Sequence, residues 1–554
     1  MKNELIKIIQ TLYGIDILPV VSRPEPKFGD LTTNVALQLA SKVGENPRAI
    51  AEKIAQALSD KGTYKDISIA GPGFINAFLD DAALLENTKR SPENYFENQS
   101  IVFEYSCPNA FKELHTGHLY QTIYGDIVAR LMLLGGANLH RTSFGGDVGL
   151  HVAKCLWGMV QEFGGEYPEK LEAIEDDPFA RSKWISQRYV QGASAYEADV
   201  STKEIIDELN RTIYGFHDDI GADTPLAQIY WKTRQWSYDY FDAFYKKIDV
   251  VPMRYYPESQ TAPVGMVVVK DQLEKGVLKE SDGAVVFEGD ESKHLHTRVF
   301  VTSKGLPTYE TKDIGVIWLE KDEYNFDHRY IITGNDQKDY MRVVFAAAEA
   351  FQPELVGTMT HMTNGTVKFA DGKKMSSRLG NVARATDVLE IVREKIEQLV
   401  DEPSLVDSVT LGAVKYAFAK YSLGGDIAFD INETVSLTGN SGPYLQYSHA
   451  RARRIIEKIG SEIEDIHEVH EEDRALIQKL GEYVEVVSQS IRTLEPHHIC
   501  NYLFELAQEF NRYYEKNKVV GSELEAHRAS IVKTYADTIA AGLGILGIDA
   551  PDSM

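Results

Sequence analysis

Ile101-Val102-Phe103-Glu104-Tyr105-Ser106-Cys107-Pro108-Asn109-Ala110-Phe111-Lys112-Glu113-Leu114-His115-Thr116-Gly117-His118 is the stretch that decides the fold. Its first residues are β-branched and aromatic, so Ile101 to Ser106 reads as a strand. Pro108 and Asn109 turn the chain. A helix follows from about Gly117 to Leu134, and Gly135-Gly136 stops it. A second strand pattern begins near Leu139. Strand, helix, strand is the signature of a parallel sheet. In such a sheet the tight loop before the helix is where a nucleotide binds. Amides at the helix N-terminus and the helix dipole favour phosphate there. Gly117 allows close approach to the backbone, and His115 and His118 can donate to phosphate oxygens. Taken alone, H-x-G-H is more often a pair of surface histidines in a turn.

Upstream, residues 1–12, 32–42 and 47–59 read as helices, the last opened by Pro47, and Ile67 to Leu79 alternates like strands around Gly71-Pro72-Gly73. A polar stretch at 86–100 reads as a linker. Downstream, 160–250 reads as a helical insertion. Strand patterns return at Val264–Val269, Gly283–Glu288, Arg298–Thr302 and Arg329–Thr333, and the chain is almost wholly helical from about 386. The expected architecture is multidomain: a small α+β N-terminal domain (1–90), an α/β Rossmann-like core with a parallel sheet (100–385), a helical junction (386–435) and an all-α C-terminal bundle (436–554).

Composition narrows the function classes. The chain has 554 residues, with 58 basic against 83 acidic, a net charge of −25. That argues against coating nucleic acid or anionic membranes indiscriminately. Cys107, Cys155 and Cys500 form no C-x-x-C, so no zinc ribbon and no tightly bound metal is expected. Lys2, Glu4, Lys7 and Asp16 interrupt the first apolar stretch, and no uncharged run approaches membrane-spanning length. A cytoplasmic protein is expected. Gly542-Leu543-Gly544-Ile545-Leu546-Gly547 matches G-x-G-x-x-G but follows a helix, so we reject it as a dinucleotide loop. Cys107 reads as a small packed residue.

A second signal supports the first. Lys373-Lys374-Met375-Ser376-Ser377-Arg378 combines cations with hydroxyls, suited to a mobile clamp on a triphosphate, although most charge runs are simply solvated. H-x-G-H followed by K-M-S-S, with α/β sequence between, resembles the class I aminoacyl-tRNA synthetases. Further motifs are similar to the arginyl-tRNA synthetases in particular. These are Glu104 through His118, Gly146-Asp147-Val148-Gly149, Pro307-Thr308-Tyr309-Glu310-Thr311-Lys312-Asp313 and Gly442-Pro443-Tyr444-Leu445-Gln446-Tyr447-Ser448-His449-Ala450-Arg451. Lys27-Phe28-Gly29-Asp30 through Ala40, and Gly71-Pro72-Gly73-Phe74-Ile75-Asn76, resemble that family's extra N-terminal domain.

The resemblance implies an arginine–tRNA ligase. The arginine carboxylate attacks the α-phosphorus of ATP, giving arginyl-adenylate and pyrophosphate. A ribose hydroxyl at the tRNA 3′ end then takes the arginine, and AMP leaves. The implied ATP set is His115, Gly117, His118, Lys374, Met375, Ser376 and Ser377, with Mg²⁺ bridging the phosphates. The implied arginine set is Glu104, Ser106, Asn109, Tyr309, Asp313 and Gln337. A guanidinium carries five donors in a fork and wants paired carboxylates, so neutral amino acids should be rejected without an editing domain. The family's second K-M-S-K-S lysine is replaced by Ser377, and Lys112 stands where many arginyl enzymes carry a compensating lysine. Gly-Asp-Val-Gly replaces the usual Gly-Asp-Trp-Gly. For tRNA(Arg), Tyr444, Gln446, Tyr447, Arg451 and Arg454 mix aromatic faces with guanidinium groups, as unstacked bases require, though a basic helix with core tyrosines would look the same. The family places anticodon binding there and the elbow contact at Phe74 and Asn76; residues 386–435 are expected to be a helical junction in contact with the tRNA stem. It also implies a monomer that often needs tRNA for the first step.

Two other readings remain: an adenylyltransferase that never meets tRNA, and a non-catalytic RNA-binding paralogue. The long C-terminal helical region argues against the first, and retention of Glu104, Asp313, both histidines and Lys374 against the second. The net charge is expected to be partitioned. Lys368, Lys373, Lys374, Arg378 and Arg384, together with Arg451–Arg454, should face the cleft, and the acidic stretches 166–177 and 462–473 should not.

Overall fold

The computed structural model describes residues 1–218, 223–369, 384–460 and 462–554. The chain begins with α1 (Lys2–Tyr13). An antiparallel sheet follows, made of β1 (Val21–Ser22), β2 (Leu31–Thr33), β3 (Tyr64–Ala70) and β4 (Phe74–Leu79) in the order β1-β2-β4-β3. Helices α2 (Val35–Val43) and α3 (Pro47–Ser59) share a core with it, centred on Leu5, Leu39, Ile54 and Ile75. Asn46 caps α3 and Pro47 fills its first turn, where a missing N–H costs nothing. Helix α4 (Asp81–Asn87) leads into the next unit.

That unit is a doubly wound α/β domain. Its strands and helices run β5 (Ser100–Glu104), α5 (Thr116–Leu134), β6 (Asn138–Gly145), α6 (Leu150–Phe163), then the insertion α7 (Pro178–Ala198), α8 (Val200–Phe216) and α9 (Pro225–Lys247). Next come β7 (Arg254–Pro257), α10 (Glu258–Glu274), a small antiparallel sheet of β8 (Lys279–Ser281), β9 (Ala284–Phe287) and β10 (Arg298–Val301), and α11 (Tyr309–Tyr324). The unit continues with β11 (His328–Gly334), α12 (Lys338–Phe351) and β12 (Met359–Asn364). The main sheet is parallel, in the order β12-β11-β5-β6-β7. From β5 the chain winds outward to β6 and β7, then returns to the other side of β5 for β11. The winding reverses between β5 and β11, so a crevice opens past the carboxyl ends of those two strands.

Beyond this sheet, β13 (Val367–Phe369) pairs in parallel with β14 (Ile427–Phe429), and α13 (Ala385–Ile396) and α14 (Val406–Ala419) lie between them in sequence. The remainder is helical: α15 (Ile431–Thr434), α16 (Gly442–Ile459), α17 (Arg474–Gly481), α18 (Tyr483–Thr493), α19 (His497–Lys516) and α20 (Glu525–Ile545). One apolar core joins α5 to these helices. The N-terminal unit is tied to them by Arg474, which reaches Asp30 Oδ2 at 2.8 Å and the Leu79 carbonyl at 2.7 Å. Among the described residues no helix is long and apolar enough to cross a membrane.

One expectation needs correction. Val264–Val269 is not a strand but the middle of α10. Its β-branched run reads as β by propensity, and tertiary packing overrides that preference. A Cβ on Gly265 would lie 1.9 Å from the Thr311 carbonyl oxygen, and one on Gly315 would lie 2.0 Å from that of Thr261. The two glycines let α10 and α11 touch backbone to backbone. Strands β7, β12, β13 and β14, by contrast, carry no pattern that we read in the sequence. The glycine contact sets where α11 presents Tyr309 and Asp313. Gly315→Ala is therefore expected to destabilise the protein by about 1–3 kcal/mol by overpacking. The check is its urea midpoint; an unchanged midpoint would show that the helix pair yields freely.

Candidate active site

Past the carboxyl ends of β5 and β11 lies a cavity of about 1700 Å³. That exceeds the ~300–1,000 Å³ of a pocket for one small ligand, and so gives room for two reactants side by side. Its walls include the loop after β5 (Cys107, Asn109), the start of α5 (His115 to His118, Gln121), the loop after β11 (Gly334 to Gln337), the turn into β13 (Asn364 to Lys368) and residues of α10 and α11.

At the α5 end the two histidines cap the helix reciprocally. The His118 backbone N–H donates to His115 Nδ1 at 3.3 Å, and the His115 N–H donates to His118 Nδ1 at 3.2 Å. This is a capping-box exchange carried out by imidazoles, with the rings stacked 3.7 Å apart. An Nδ1 that accepts a hydrogen bond cannot carry a proton, so each neutral ring keeps its proton on Nε2. Burial and the Lys112 charge lower the pKa of His115. Burial, His115 and Lys112 lower that of His118 well below its usual value. Both rings are therefore neutral N–H donors at pH 7, standing at a helix N-terminus.

The opposite wall is acidic. Glu104, Glu258, Glu310, Asp313 and Asp336 all line it. Glu104 is buried and takes a hydrogen bond from Arg329, whose Nε donates to Glu320 at 2.6 Å. Burial pushes the Glu104 carboxyl up, and Arg329 opposes that. Asp313 accepts a hydrogen bond from the Tyr340 hydroxyl. Burial pushes Asp313 up to about 7, with Tyr340 and Arg329 pulling the other way. Lys312 neutralises Glu258 at 2.6 Å. Asp313, unlike Glu104 and Glu258, has no cation within ion-pair distance among the described residues. A cationic ligand fits between these groups.

Several sequence-predicted residues converge here. Glu104, Asn109, His115, Gly117, His118, Tyr309, Asp313 and Gln337 all line the cavity. Asn109 also braces Gly146, whose N–H donates to its Oδ1 at 2.8 Å. Other residues stand elsewhere. Ser106 is fully buried behind the loop, with its hydroxyl 2.7 Å from Thr122 Oγ1 and 3.0 Å from the Tyr245 hydroxyl. Positive φ at Ser106 and Cys107, 71° and 47°, turns the backbone so that Cys107 rather than Ser106 faces the cavity. The Lys112 ammonium sits 4.6 Å over the Tyr189 ring, near enough to the histidines to oppose their protonation. Lys374, Met375, Ser376 and Ser377 lie outside the described residues. Both flanks of their segment are at the cavity, however. Lys368 is in its wall, and Arg384 bridges to His115 and pairs with Glu113 at 3.5 Å.

The expected tRNA contacts divide in the same way. Phe74 and Tyr447 are exposed, whereas Asn76 and Gln446 are buried, and Gln446 donates to the Asp549 carbonyl at 2.9 Å. Tyr444 is nearly buried too, and its hydroxyl accepts from Asn511. Arg451 stacks on Tyr514, Arg453 pairs with Asp552, and Arg454 holds the Met554 carbonyl oxygen. Arg453 and Arg454 thus hold the C-terminal residues and Arg451 meets α19, so the three do not form an unengaged basic track. Sequence reasoning missed Arg329, Tyr340, Glu258 and the Gly334–Asp336 part of the loop before Gln337. A charge inside an apolar parallel strand was the available signal for Arg329.

A reversed-winding parallel sheet with paired histidines at the helix entry, followed by a helical bundle, defines a class I aminoacyl-tRNA synthetase. The comparisons narrow this. A family model for the class I (R) tRNA synthetase catalytic domain matches residues 81–429, one for the arginyl-tRNA synthetase N-terminal domain matches 1–79, and one for the DALR anticodon binding domain matches 445–554. The arginine–tRNA ligase of Thermobifida fusca is 30% identical over 97% of this chain and 96% of its own. That of Flavobacterium psychrophilum is 28% identical over 98% and 94%. The Thermus thermophilus arginyl-tRNA synthetase shares the fold, with a TM-score of 0.81 at 22% identity, covering 100% of this chain and 99% of that one. The chain belongs to the arginyl-tRNA synthetase family.

The raised Asp313 carboxyl gives a signed pH dependence. A guanidinium ligand favours the ionised carboxylate, so its binding draws the proton off. Affinity for such a ligand should be steady above pH 7 and fall as pH drops below about 7, approaching tenfold per unit. Calorimetric titration between pH 5.5 and 8.5 measures this. Equal affinity across that range would exclude Asp313 as the partner.

Proposed function

We propose that this chain ligates arginine to tRNA(Arg), through an arginyl-adenylate formed from ATP. The observation that carries the reading is one cavity with two unlike ends: buried carboxylates at β5 and α11, and neutral N–H donors at the start of α5. The first suits a guanidinium, and the second suits the phosphates of ATP. Room for both in one cavity allows the arginine carboxylate to be held against the α-phosphorus, and positioning of this kind supplies most of the rate in phosphoryl transfer.

In this reading Asp313 and Glu104 receive the guanidinium, with Tyr309, Gln337 and Asn109 lining the rest of the arginine site. Ser106 is left out of the set because its hydroxyl is spent inside the fold. His115 and His118 donate from Nε2 to phosphate oxygens, beside the Gly117 amide. Lys374, Met375, Ser376 and Ser377 close on ATP from the segment whose flanks stand at the cavity, and ATP enters as its Mg²⁺ complex. Lys112 adds positive potential behind the histidines in place of the absent second lysine. Tyr447 and Phe74 are the exposed aromatic residues for tRNA contact, and residues 386–435 would meet a stem of the tRNA. The enzyme is expected to act as a monomer in the cytoplasm.

Charging of tRNA with radiolabelled arginine tests the reaction. Another amino acid charged in place of arginine would overturn the reading. His118→Ala removes one preorganised donor and should cost about 10²–10³-fold in kcat with little change in arginine affinity. Lys112→Ala should slow adenylate formation measured by pyrophosphate exchange, while transfer of preformed adenylate to tRNA is kept. Equal loss in both steps would place Lys112 outside the ATP chemistry.

A further inference from the structure

Far from the cavity, three ligand-type atoms converge at the edge of the helical bundle. They are Glu468 Oε1, His470 Nε2 and a His527 ring nitrogen, all within 4.8 Å of one another. None of these residues lines the cavity. Glu468 and His470 belong to the irregular segment before α17, and His527 lies in the first turn of α20. Glu468 Oε1 is 3.0 Å from His470 Nε2 and 4.0 Å from His527 Nδ1. Ligands of a tetrahedral ion with ~2.0–2.1 Å bonds stand about 3.3 Å apart, between those two distances.

A second observation fixes the chemistry of His527. Its Nε2 lies 2.7 Å from Oδ2 of Asp473, a residue with no exposure. The carboxylate takes the Nε2 proton, which leaves the Nδ1 lone pair aimed at the cluster. Nδ1 and Glu468 Oε1 are then both acceptors facing each other, with Oε1 also in hydrogen-bond reach of His470 Nε2, and one cation could be shared by all three atoms. A buried carboxylate orienting a histidine whose other nitrogen faces two more ligands is the usual outer-shell arrangement of a zinc site.

We propose that Glu468, His470 and His527 form a site for a divalent transition-metal ion of the Zn²⁺ type, with Asp473 orienting His527. Two imidazoles and one carboxylate are a three-ligand set with a fourth position open to solvent. The ion would clip the acidic segment before α17 to α20. The expectation of no tightly bound metal rested on cysteine spacing, which is blind to a set built from histidine and carboxylate. A second group, Glu495, His497 and His498, also brings three such atoms together. There the two histidines are neighbours in sequence, and among the described residues no buried carboxylate orients either ring, so it serves as the control.

The test is titration of the chelator-treated full-length chain with Co²⁺, read by its visible ligand-field bands, followed by Zn²⁺ competition. One tight equivalent displaced by Zn²⁺ is expected. His470→Ala should weaken it at least tenfold and Asp473→Asn about 10–100-fold. His498→Ala should leave it unchanged. His527 is nearly buried and its loss could unfold the region, so the partly exposed His470 carries the decision, with circular dichroism confirming the fold. No stoichiometric uptake, uptake that survives His470→Ala, or loss with His498→Ala would each overturn the site.

Discussion

The guanidinium of Arg329, buried between Glu104 on β5 and Glu320 on α11, is the interaction on which the site depends. Arg329 sits on β11, so one side chain ties together both strands of the winding reversal and the helix that crosses them. Thr142 on β6 extends the tie by donating to Glu320 at 2.6 Å. Burial works against the Arg329 charge, but Glu320 and Glu104 hold it firmly protonated. Breaking such a pair from one side costs about 3–5 kcal/mol, because the remaining charge is left in a dry interior. The carboxylate end of the cavity thus exists because a permanent cation sits behind it. A substrate guanidinium in front would meet Glu104 already oriented, with the Asp313 carboxylate to complete the pair. Of the two, Asp313 has, among the described residues, only the Tyr340 hydroxyl as a hydrogen-bond donor and no cation within ion-pair distance.

The phosphate end is organised on a different basis. A helix start leaves backbone N–H groups without partners, and here imidazole nitrogens take two of them. The same hydrogen bonds that cap α5 settle which nitrogen of each ring holds the proton. Capping and catalytic readiness are therefore one feature, and acid that protonates Nδ1 would disturb both. Ala385 donates to the Leu114 carbonyl at 2.9 Å, and Arg384 reaches Glu113 and Asp387. The helical region is thereby fastened to the loop that carries the histidines, and a shift in one is felt by the other.

What the sequence made legible was what local periodicity encodes. The strand before the histidines, α5, the insertion and the C-terminal helices all follow from apolar spacing. The winding order was legible only as a class, because pairing β11 beside β5 joins residues 225 positions apart, such as Arg329 and Glu104. Short strands in polar runs, such as β12, owe their state to neighbours rather than to propensity. The choice of side-chain direction was least legible. Ser106 and Cys107 exchange their expected places through two positive φ angles, and Asn76 and Gln446 turn inward although nothing in their residue type demands it. Motif resemblance names positions, whereas backbone geometry decides which of them face the ligand.

Net charge also changes meaning once the carboxylates are located. A chain at −25 repels a polyanion at long range, but at physiological salt that repulsion decays over about 8 Å. Inside that distance only local groups count. In the acidic wall, Glu104 is paired with Arg329 and Glu258 with Lys312. At the start of α5 the two imidazoles are neutral at pH 7, and the positive charge that acts on them is that of Lys112. The acidic segment before α17 is likewise engaged: Asp473 meets His527, and Glu472 meets Arg528 at 3.5 Å. Arg451, Arg453 and Arg454 are also engaged within the bundle, by Tyr514, Asp552 and the Met554 carbonyl oxygen. Selectivity for one tRNA must then come from shaped contacts at exposed aromatic and polar groups, and an acidic protein gains from this by not retaining other RNAs.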